Sequence, residues 1–296
     1  MAKKTITTSI TEMFGIKHPV LRADMNVAAG PRLAAAVTNA GGLGVIRGFG
    51  YTPKKLAPAA IEELKSMLND PNAPFGVGGT ARKTNVHSNH YNYTHGQPAS
   101  LLDVIIDEKT TLFVCAVGVP PREAVERLHR GRTSSFTGKP VYVIGAGAVV
   151  DGRGLAANLA WGRRRFVASI QAGASKRQKE LITKAGFGET LRTLVYTGRP
   201  LRVLRTAYVA EWSVVPTETT RQAEARKLLD QGLVPHNQEL QAHPEKFLLG
   251  KDWLMGEGCA LIEDVLSALE IVEGMVKGAV GVLEGGYKML GGGAKF

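Results

Sequence analysis

The amino-acid sequence predicts an α/β fold built around a parallel sheet. Short apolar runs alternate with helix-like segments as far as residue 169. The runs start near residues 20, 43, 74, 112, 141 and 166, at intervals close to the roughly 30 residues of a βα unit. They are apolar throughout, which is typical of strands that are buried on both faces of a sheet.

The first βα unit shows the pattern most clearly. Pro19–Ala23 predicts a short strand, and Pro31 suits the first position of a helix, where its missing N–H costs nothing. Gly41 and Gly42 end that helix, and Leu43–Ile46 predicts the next strand.

The same order continues along the chain. The helical pattern recurs at Ala59–Leu68, Ala99–Asp107, Pro121–His129 and Asp151–Trp161. Strand-length apolar runs recur at Pro74–Val77, Leu112–Val117, Val141–Gly145 and Phe166–Ala168.

Beyond residue 169 the rhythm changes. Helices are predicted over Lys176–Ala185, Thr217–Gln231 and Cys259–Leu283, an extended segment over Leu191–Tyr208 with a turn at Gly198–Pro200, and a flexible tail from Gly285. The apolar stripe of the longest helix, predicted to be core packing, comprises Leu261, Val265, Leu269, Val272, Val276, Val280 and Leu283. We expect a single domain over 1–296, with a βα portion at 14–169 and a mostly helical C-terminal extension at 170–296.

Composition excludes several classes of protein. The 296 residues are 44% hydrophobic and 21% charged, which excludes a disordered chain. Two cysteines exclude a disulfide scaffold and suit a reducing compartment, so we expect a cytoplasmic protein. The sequence has no apolar run of membrane-spanning length and no secretory signal, so no membrane partner is expected.

The net charge of +11 raises the question of an anionic partner. The basic residues form short clusters without any zinc-finger, basic-zipper or RNA-stacking motif. Solvated surface charge is the first interpretation and a phosphate-bearing small ligand the second. We expect no nucleic-acid partner.

In a parallel α/β fold, ligands bind where the strands end. Asp24 and Met25 follow the first predicted strand, where Asp24 is either a site residue or a cap of the coming turn. Gly145–Ala148 follows the fifth strand and opens a helix. Small residues at a helix N-terminus can grip a phosphate, although an ordinary tight turn explains them equally well.

Metal and thiol chemistry are not predicted. His87, His90 and His95 share a polar stretch without a carboxylate or cysteine, which favours a solvated loop over a metal site. Cys115 lies within an apolar run and is predicted to be an inert core thiol.

Several segments together resemble the nitronate monooxygenase family, formerly called 2-nitropropane dioxygenases, and its fungal-type members especially. The resemblance runs through most of the chain: Phe14–Ile46, Ala81–Asn85, Leu112–Pro121, Lys139–Gly162, Arg165–Lys179, Tyr196–Arg205 and His243–Met255. The pieces AVTNAGGLG and DGRGLAA are the most specific. The resemblance implies a TIM-barrel (β/α)8 fold with non-covalent FMN, and the oxidation of alkyl nitronates by O₂.

The resemblance also implies positions for FMN. Ala23, Asp24 and Met25 fall where the family's first-strand segment lies against the flavin. Ala146, Gly147 and Ala148 fall on its phosphate segment, with Gly147 on the first glycine and Ala148 in place of the second.

Departures from the family pattern limit what the resemblance implies. Only Arg130–Pro140 fills the place of the family's fifth and sixth strands, so the barrel is predicted to be incomplete, with about six βα units. The family's catalytic histidine segment is absent, and no catalytic residue is assigned. We therefore expect weak or no nitronate oxidation. The alternatives are a non-catalytic remnant that binds FMN or a partner, and another FMN barrel such as an enoyl reductase. The oligomeric state is not predicted.

Overall fold

A computed structural model describes most of the N-terminal third of the chain and nearly all of its C-terminal half. The described residues are 6–22, 28–47, 56–79, 98–108, 110–115, 123, 126–127, 142–143, 165–198, 200–213 and 220–289. The chain divides into two compact units. The sheet unit comprises Met1–Arg82, Thr94–Ala174 and Val265–Phe296, and the hairpin unit comprises Lys83–Tyr93 and Ser175–Asp264.

The sheet unit is built on four parallel strands in sequence order. They are β1 (Gly44–Arg47), β2 (Phe75–Gly79), β3 (Leu112–Cys115) and β4 (Tyr142–Val143). A parallel bridge between Leu21 and Leu43 adds the predicted first strand as a single pair beside β1. Parallel neighbours in chain order confirm the predicted βα succession over this stretch.

Helices occupy the connections between these strands. They are α1 (Ser9–Phe14) before the first bridge, α2 (Pro31–Asn39) before β1, a π-helical segment (Leu56–Ile61) continued by α3 (Glu62–Ser66) before β2, and α4 (Pro98–Asp107) before β3. The predicted helices at Pro121–His129 and Asp151–Trp161 lie mostly or wholly outside the described residues.

Two apolar clusters form the core of this unit. One joins α2, α3 and α4 to β1 and β2 and includes Ile46, Leu64, Val77 and Ile105. The other joins α1 to β1 and β3 and includes Phe14, Leu21, Val45 and Leu112. Ile46 and Val45, adjacent on β1, belong to different clusters, which is why this strand is apolar without alternation.

The motif AVTNAGGLG is explained by packing around α2. The Thr38 hydroxyl accepts a hydrogen bond from the Gly44 N–H at 3.1 Å and donates one to the Pro74 carbonyl at 3.4 Å. A Cβ at Gly44 would lie 2.0 Å from the Ala34 carbonyl oxygen, so only glycine lets β1 approach α2 this closely. This motif stabilises the amino-terminal end of β1, which is the opposite end from the expected ligand site.

The C-terminal helix differs from the prediction. A 3₁₀ segment occupies Glu257–Leu261, and the helix α9 begins only at Ala268 and ends at Met289. Leu261 is 75% exposed, and Val265 and Leu269 are also exposed, so the first half of the predicted stripe is not core. Val272 and Val276 are buried as predicted. The helix also includes Gly285–Met289, which the sequence predicted as tail.

The hairpin unit contains two antiparallel strands and four helices. The strands are β5 (Thr190–Thr193) and β6 (Leu201–Leu204), and the helices are α5 (Lys176–Lys184), α6 (Ala207–Ser213), α7 (Thr220–Asp230) and α8 (Pro235–Ala242). A turn was predicted at Gly198–Pro200, and Gly198 has a positive φ, which glycine tolerates. A further 3₁₀ segment spans Pro244–Phe247.

Three other local predictions are wrong. Phe166–Ala168 belongs to a 3₁₀ helix (Arg165–Ala168) rather than a strand, although all three side chains are buried as a strand's would be. The extended segment ends at Leu204, since Ala207 already begins α6. The helix α8 was not predicted.

Candidate functional site

The carboxyl ends of the parallel strands meet at one edge of the sheet unit. The register pairs Arg47 of β1 with Gly78 of β2, and Gly78 with Val114 of β3. One residue further on, Gly79 pairs with Cys115. Consecutive glycines in the middle strand leave this part of the edge without side chains. A ligand can therefore approach the backbone there.

Arg22 is a buried arginine beside β1. It follows Leu21 of the first bridge, is only 1% exposed, and is the largest of the fully buried side chains. Its backbone N–H donates to the Leu43 carbonyl, and its guanidinium Nη1 donates to the Val45 carbonyl two residues further along β1. Moving a guanidinium out of water costs solvation free energy. The fold nevertheless buries this positive charge beside the sheet.

Arg47 adds a second cation at the end of β1. Its side chain is partly buried, and its backbone N–H donates to the Ala29 carbonyl at 3.1 Å. Arg47 thus ends β1 at the edge where anionic ligands bind in parallel α/β proteins, whereas the buried guanidinium of Arg22 is bonded earlier along β1, at Val45. Neither residue was among the predicted site residues. The available signal was an arginine within the apolar run PVLRA.

The FMN positions implied by the resemblance are not covered by the structure. Ala23, Asp24 and Met25 follow Arg22 directly, and Ala146, Gly147 and Ala148 follow β4, but all six residues lie outside the described residues. The first segment follows the strand that is bridged to β1, and the second follows β4, so β1, β2 and β3 lie between them in the described sheet. Their roles stay predictions.

The hairpin unit holds a separate cluster of titratable rings. The Tyr208 hydroxyl lies 2.9 Å from Nδ1 of His236, and the Tyr196 ring packs edge-on against His236 with centroids 4.8 Å apart. Burial lowers the pKa of His236, and burial raises the pKa of Tyr208 to about 12. A Cβ at Gly250 would lie 3.0 Å from Cε1 of His236, so the backbone closes over the pair. We interpret this cluster as packing.

The described residues contain neither a cluster of metal ligands nor a membrane-spanning helix. Within the described residues, no group of three His, Cys, Asp or Glu side chains could hold a metal ion, and the predicted loop of His87, His90 and His95 lies outside them. Among the helices that the structure describes, none is long and apolar enough to cross a bilayer. Cys259 is a buried cysteine in the 3₁₀ segment, and the side chain of Cys115 is outside the described set.

Sequence comparison connects the described sheet to known proteins. The model of the nitronate monooxygenase family matches residues 7–138, which contain β1, β2 and β3. A (3aS,4S,5R,7aS)-5-hydroxy-7a-methyl-1-oxo-octahydro-1H-indene-4-carboxyl-CoA dehydrogenase from Mycobacterium tuberculosis is 28% identical over 245 residues, covering 69% of this chain and 68% of the relative. A probable nitronate monooxygenase from Staphylococcus saprophyticus is 23% identical over 285 residues, covering 69% and 80% respectively.

Solved structures share the fold over nearly the whole chain. FabK from Thermotoga maritima is 25% identical with a TM-score of 0.61, covering 95% of this chain and 99% of that one. A nitroalkane oxidase from Streptomyces ansochromogenes is 20% identical with a TM-score of 0.64, covering 93% and 100%. These neighbours and the ordered parallel strands confirm the coarse fold prediction, an α/β fold of the TIM-barrel type. By sequence, residues 7–138 are similar to the nitronate monooxygenase family.

Proposed function

We propose that this chain is an FMN-binding oxidoreductase of the nitronate monooxygenase family, with alkyl nitronates and O₂ as its substrates. One observation supports this most. The stretch that matches the family model forms consecutive parallel strands, and their carboxyl edge combines Arg47 at the end of β1 with the glycine pair Gly78–Gly79. That combination of positive charge and bare backbone fits a ligand that carries a phosphate.

In this proposal FMN is held by two segments. Ala23, Asp24 and Met25 line the flavin beyond the first strand, and Ala146, Gly147 and Ala148 bind its phosphate through backbone N–H groups beyond β4. Arg47 supplies positive charge beside the first of these segments. FMN, when bound, supplies the redox chemistry that protein side chains cannot. The protein's part is to bind and orient the cofactor and the nitronate.

We further propose that catalysis is weak, because the segment that carries the family's histidine base is absent between β3 and β4. Alignment lengths support internal losses. The Staphylococcus saprophyticus alignment extends over 285 residues, whereas 69% of this chain is about 204 residues, so many positions of the relative have no counterpart here. The same proposal includes a barrel of six βα units and a likeness to the fungal-type members of the family. It also includes a single domain, with portions at 14–169 and 170–296, and a cytoplasmic location.

Two measurements test the proposal separately. We expect the purified protein to show a flavin absorbance spectrum, directly or after incubation with FMN, and to retain FMN through gel filtration. We expect it to consume propyl-2-nitronate more slowly than an intact nitronate monooxygenase by at least about a hundredfold, as when a general base is lost. Failure to retain FMN would contradict the cofactor assignment, and turnover at the rate of intact relatives would contradict the missing base.

A second candidate substrate class is a coenzyme A thioester. The relative with a carboxyl-CoA substrate in its name is 28% identical, more than the 23% of the staphylococcal nitronate monooxygenase. The phosphates of coenzyme A also suit an edge that carries Arg47. Saturable binding of coenzyme A to the FMN-loaded protein would favour this class, and nitronate turnover without such binding would favour the first.

A non-catalytic remnant is the third candidate. It predicts that FMN is retained while neither nitronate nor thioester is consumed. Single-turnover reduction of the bound flavin under anaerobic conditions separates it from the other two, because only a catalytic protein bleaches the flavin absorbance on addition of its substrate.

A further inference from the structure

The hairpin unit has an open hollow that the proposed function does not use. Its volume is about 330 Å³, and it lies between β5, the turn that follows β5, and the helices α6 and α7. That size is at the lower end of the range for small-molecule sites. All the described residues that line it belong to the hairpin unit.

The floor of the hollow is apolar and rigidly held. Val195, Trp212 and Ala225 form it, and each is more than nine-tenths buried. The Arg221 guanidinium lies 4.6 Å from the centroid of the Trp212 ring and holds the ring in place. Arg221 is in turn held by Glu239 through two hydrogen bonds of 2.7 and 3.1 Å. Such a floor is formed before any ligand arrives.

Beside this floor lies an exposed apolar side chain. Leu194 follows β5 and is 41% exposed, although it borders the hollow. Leu229 of α7 lines the same hollow. An apolar group that entered here would remove both leucines from water, which contributes roughly 25 cal/mol for each Å² of apolar surface buried.

The rim of the hollow is positively charged. Arg192 of β5 and Arg226 of α7 both line it, and none of the described lining residues is acidic. Arg192 forms no ion pair among the residues that the structure describes, whereas Arg202, its neighbour across the hairpin, is paired with Glu257. Guanidinium groups bind carboxylates through paired N–H donors, so this rim suits a carboxylate.

We infer that this hollow binds a small amphipathic carboxylate. The apolar part of the ligand lies on Val195, Trp212 and Ala225, and its carboxylate lies between Arg192 and Arg226. The inference concerns binding alone and does not depend on FMN or on nitronate oxidation.

Calorimetric titration of the full chain with phenylbutyrate tests this inference, with phenylbutanol as the neutral control. We expect saturable binding of the acid and at least about fivefold weaker binding of the alcohol, because only the acid pairs with the arginines. Arg192→Gln should weaken phenylbutyrate binding by about tenfold, while Arg192→Lys, which keeps the charge, should recover part of that loss.

Arg205→Gln is the matched control variant. Arg205 is also an exposed arginine of the hairpin unit, but it lines a different hollow and should leave phenylbutyrate binding unchanged. Since Arg192 is exposed, its substitution is not expected to unfold the chain, which the far-UV circular dichroism spectrum checks. Absence of saturable phenylbutyrate binding, equal binding of the alcohol, or equal binding by Arg192→Gln would each overturn the inference.

Discussion

Arg22 is a buried cation within an apolar strand-length run. An arginine in the middle of an apolar run is rare, because burying its charge is costly. Here the side chain reaches the Val45 carbonyl and is almost fully buried beside β1. The sequence contained this signal as the arginine within the apolar run PVLRA.

Arg47 offers the cleaner test of charge at the carboxyl edge of the sheet, because it is only partly buried. Arg47→Met should weaken FMN binding by about five- to tenfold, since one favourable interaction with the phosphate or flavin is lost. The affinity for FMN is measured by the quenching of FMN fluorescence as the protein is added. Arg177→Met, at an exposed arginine of α5 in the hairpin unit, is the control. Equal affinities of the two variants would argue against a role for Arg47.

Glu239 is the most strongly engaged carboxylate among the described residues. It accepts hydrogen bonds from Arg221 and Lys246, and these contacts hold its pKa at about 2, well below its usual value of 4.5. A carboxyl whose pKa is lowered by folding contributes stability above its unfolded pKa and loses it as pH falls towards the folded pKa. The pairs joining α7, α8 and the Pro244–Phe247 segment should therefore weaken between about pH 5 and about pH 2.

Glu239→Gln tests this dependence. We expect the variant to lose about 1–3 kcal/mol of unfolding free energy at neutral pH, because Arg221 and Lys246 lose their anionic partner. From about pH 5 down to about pH 2 the difference from the unsubstituted protein should shrink, because Glu239 is protonated first in the unfolded chain and in the folded protein only near its lowered pKa of about 2. Urea unfolding at several pH values measures both effects. Glu245→Gln, at a largely exposed carboxylate, should change little, and a pH-independent difference at Glu239 would contradict the assignment.

At the scale of elements, alanine substitution of a glycine in a strand and of a glycine in a helix should change stability in opposite directions. Gly44→Ala should destabilise the protein by about 3 kcal/mol, because the new methyl group would collide with the Ala34 backbone of α2. Gly278→Ala, inside α9 with nothing within 4 Å of the added Cβ, should stabilise it by about 0.5–1 kcal/mol. Thermal or urea unfolding measures both, and effects of the same sign would contradict the packing described for α2 and β1.

The start of α9 depends on a reciprocal cap. The Ser267 hydroxyl accepts from the Glu270 N–H at 3.2 Å, and the Glu270 carboxylate accepts from the Ser267 N–H at 2.8 Å. Ser267→Ala should cost about 1 kcal/mol of stability, measured by urea unfolding. Ser66→Ala, at a serine whose hydroxyl donates to the Glu63 carbonyl, is the control and should change stability by less than about 0.5 kcal/mol. Equal losses would show that the cap does not set the start of the helix.

The same cap shows what the sequence could and could not predict. Strands such as β3 were predictable because their apolar runs are flanked by turns and have strand length. The prediction of a helix from Cys259 was wrong because Leu261, Val265 and Leu269 happen to follow the helical period. Periodicity alone does not locate the residue at which a helix begins. The S-x-x-E signature at Ser267–Glu270 does locate it. Phe166–Ala168 was too short for periodicity to separate a strand from a 3₁₀ turn.

For the candidate site, the sequence predicted which edge to examine but not its charges. The rule that ligands bind where parallel strands end follows from topology, and alternating apolar runs suffice to predict that topology. The burial of Arg22 depends on how α1, β1 and the first bridge pack together, which no local pattern contains. The hollow beside Trp212 similarly arises from residues that are more than thirty positions apart along the chain.

At the scale of the whole molecule, the positive charge is unevenly distributed. The sheet unit contains 23 Lys and Arg and 14 Asp and Glu residues, a net charge of +9, whereas the hairpin unit contains 14 and 12, a net charge of +2. The unit that holds the parallel sheet thus accounts for most of the total of +11. This asymmetry favours an anionic ligand at the sheet unit.

Salt should therefore weaken FMN binding. Between about 0.05 and about 0.5 M sodium chloride, we expect the dissociation constant of FMN to rise by at least about threefold, because the attraction between the phosphate and the basic unit is screened. Riboflavin, which lacks the phosphate, is the matched control and should show little change. Similar salt dependence of the two ligands would argue that the charge of the sheet unit does not contribute to cofactor binding.

The contact between α9 and α2 also affects the order in which the chain folds during its synthesis. Strands β1 to β4 can pair one after another as the chain leaves the ribosome, since each lies beside its predecessor in sequence. The helix α2 also packs against α9, which begins at Ala268, more than two hundred residues later. At 5–20 residues per second of synthesis, α2 waits roughly ten to fifty seconds for this partner. In the nascent sheet unit, the surface of α2 that contacts α9 therefore stays exposed for the longest time. This surface is where a chaperone would protect the chain most.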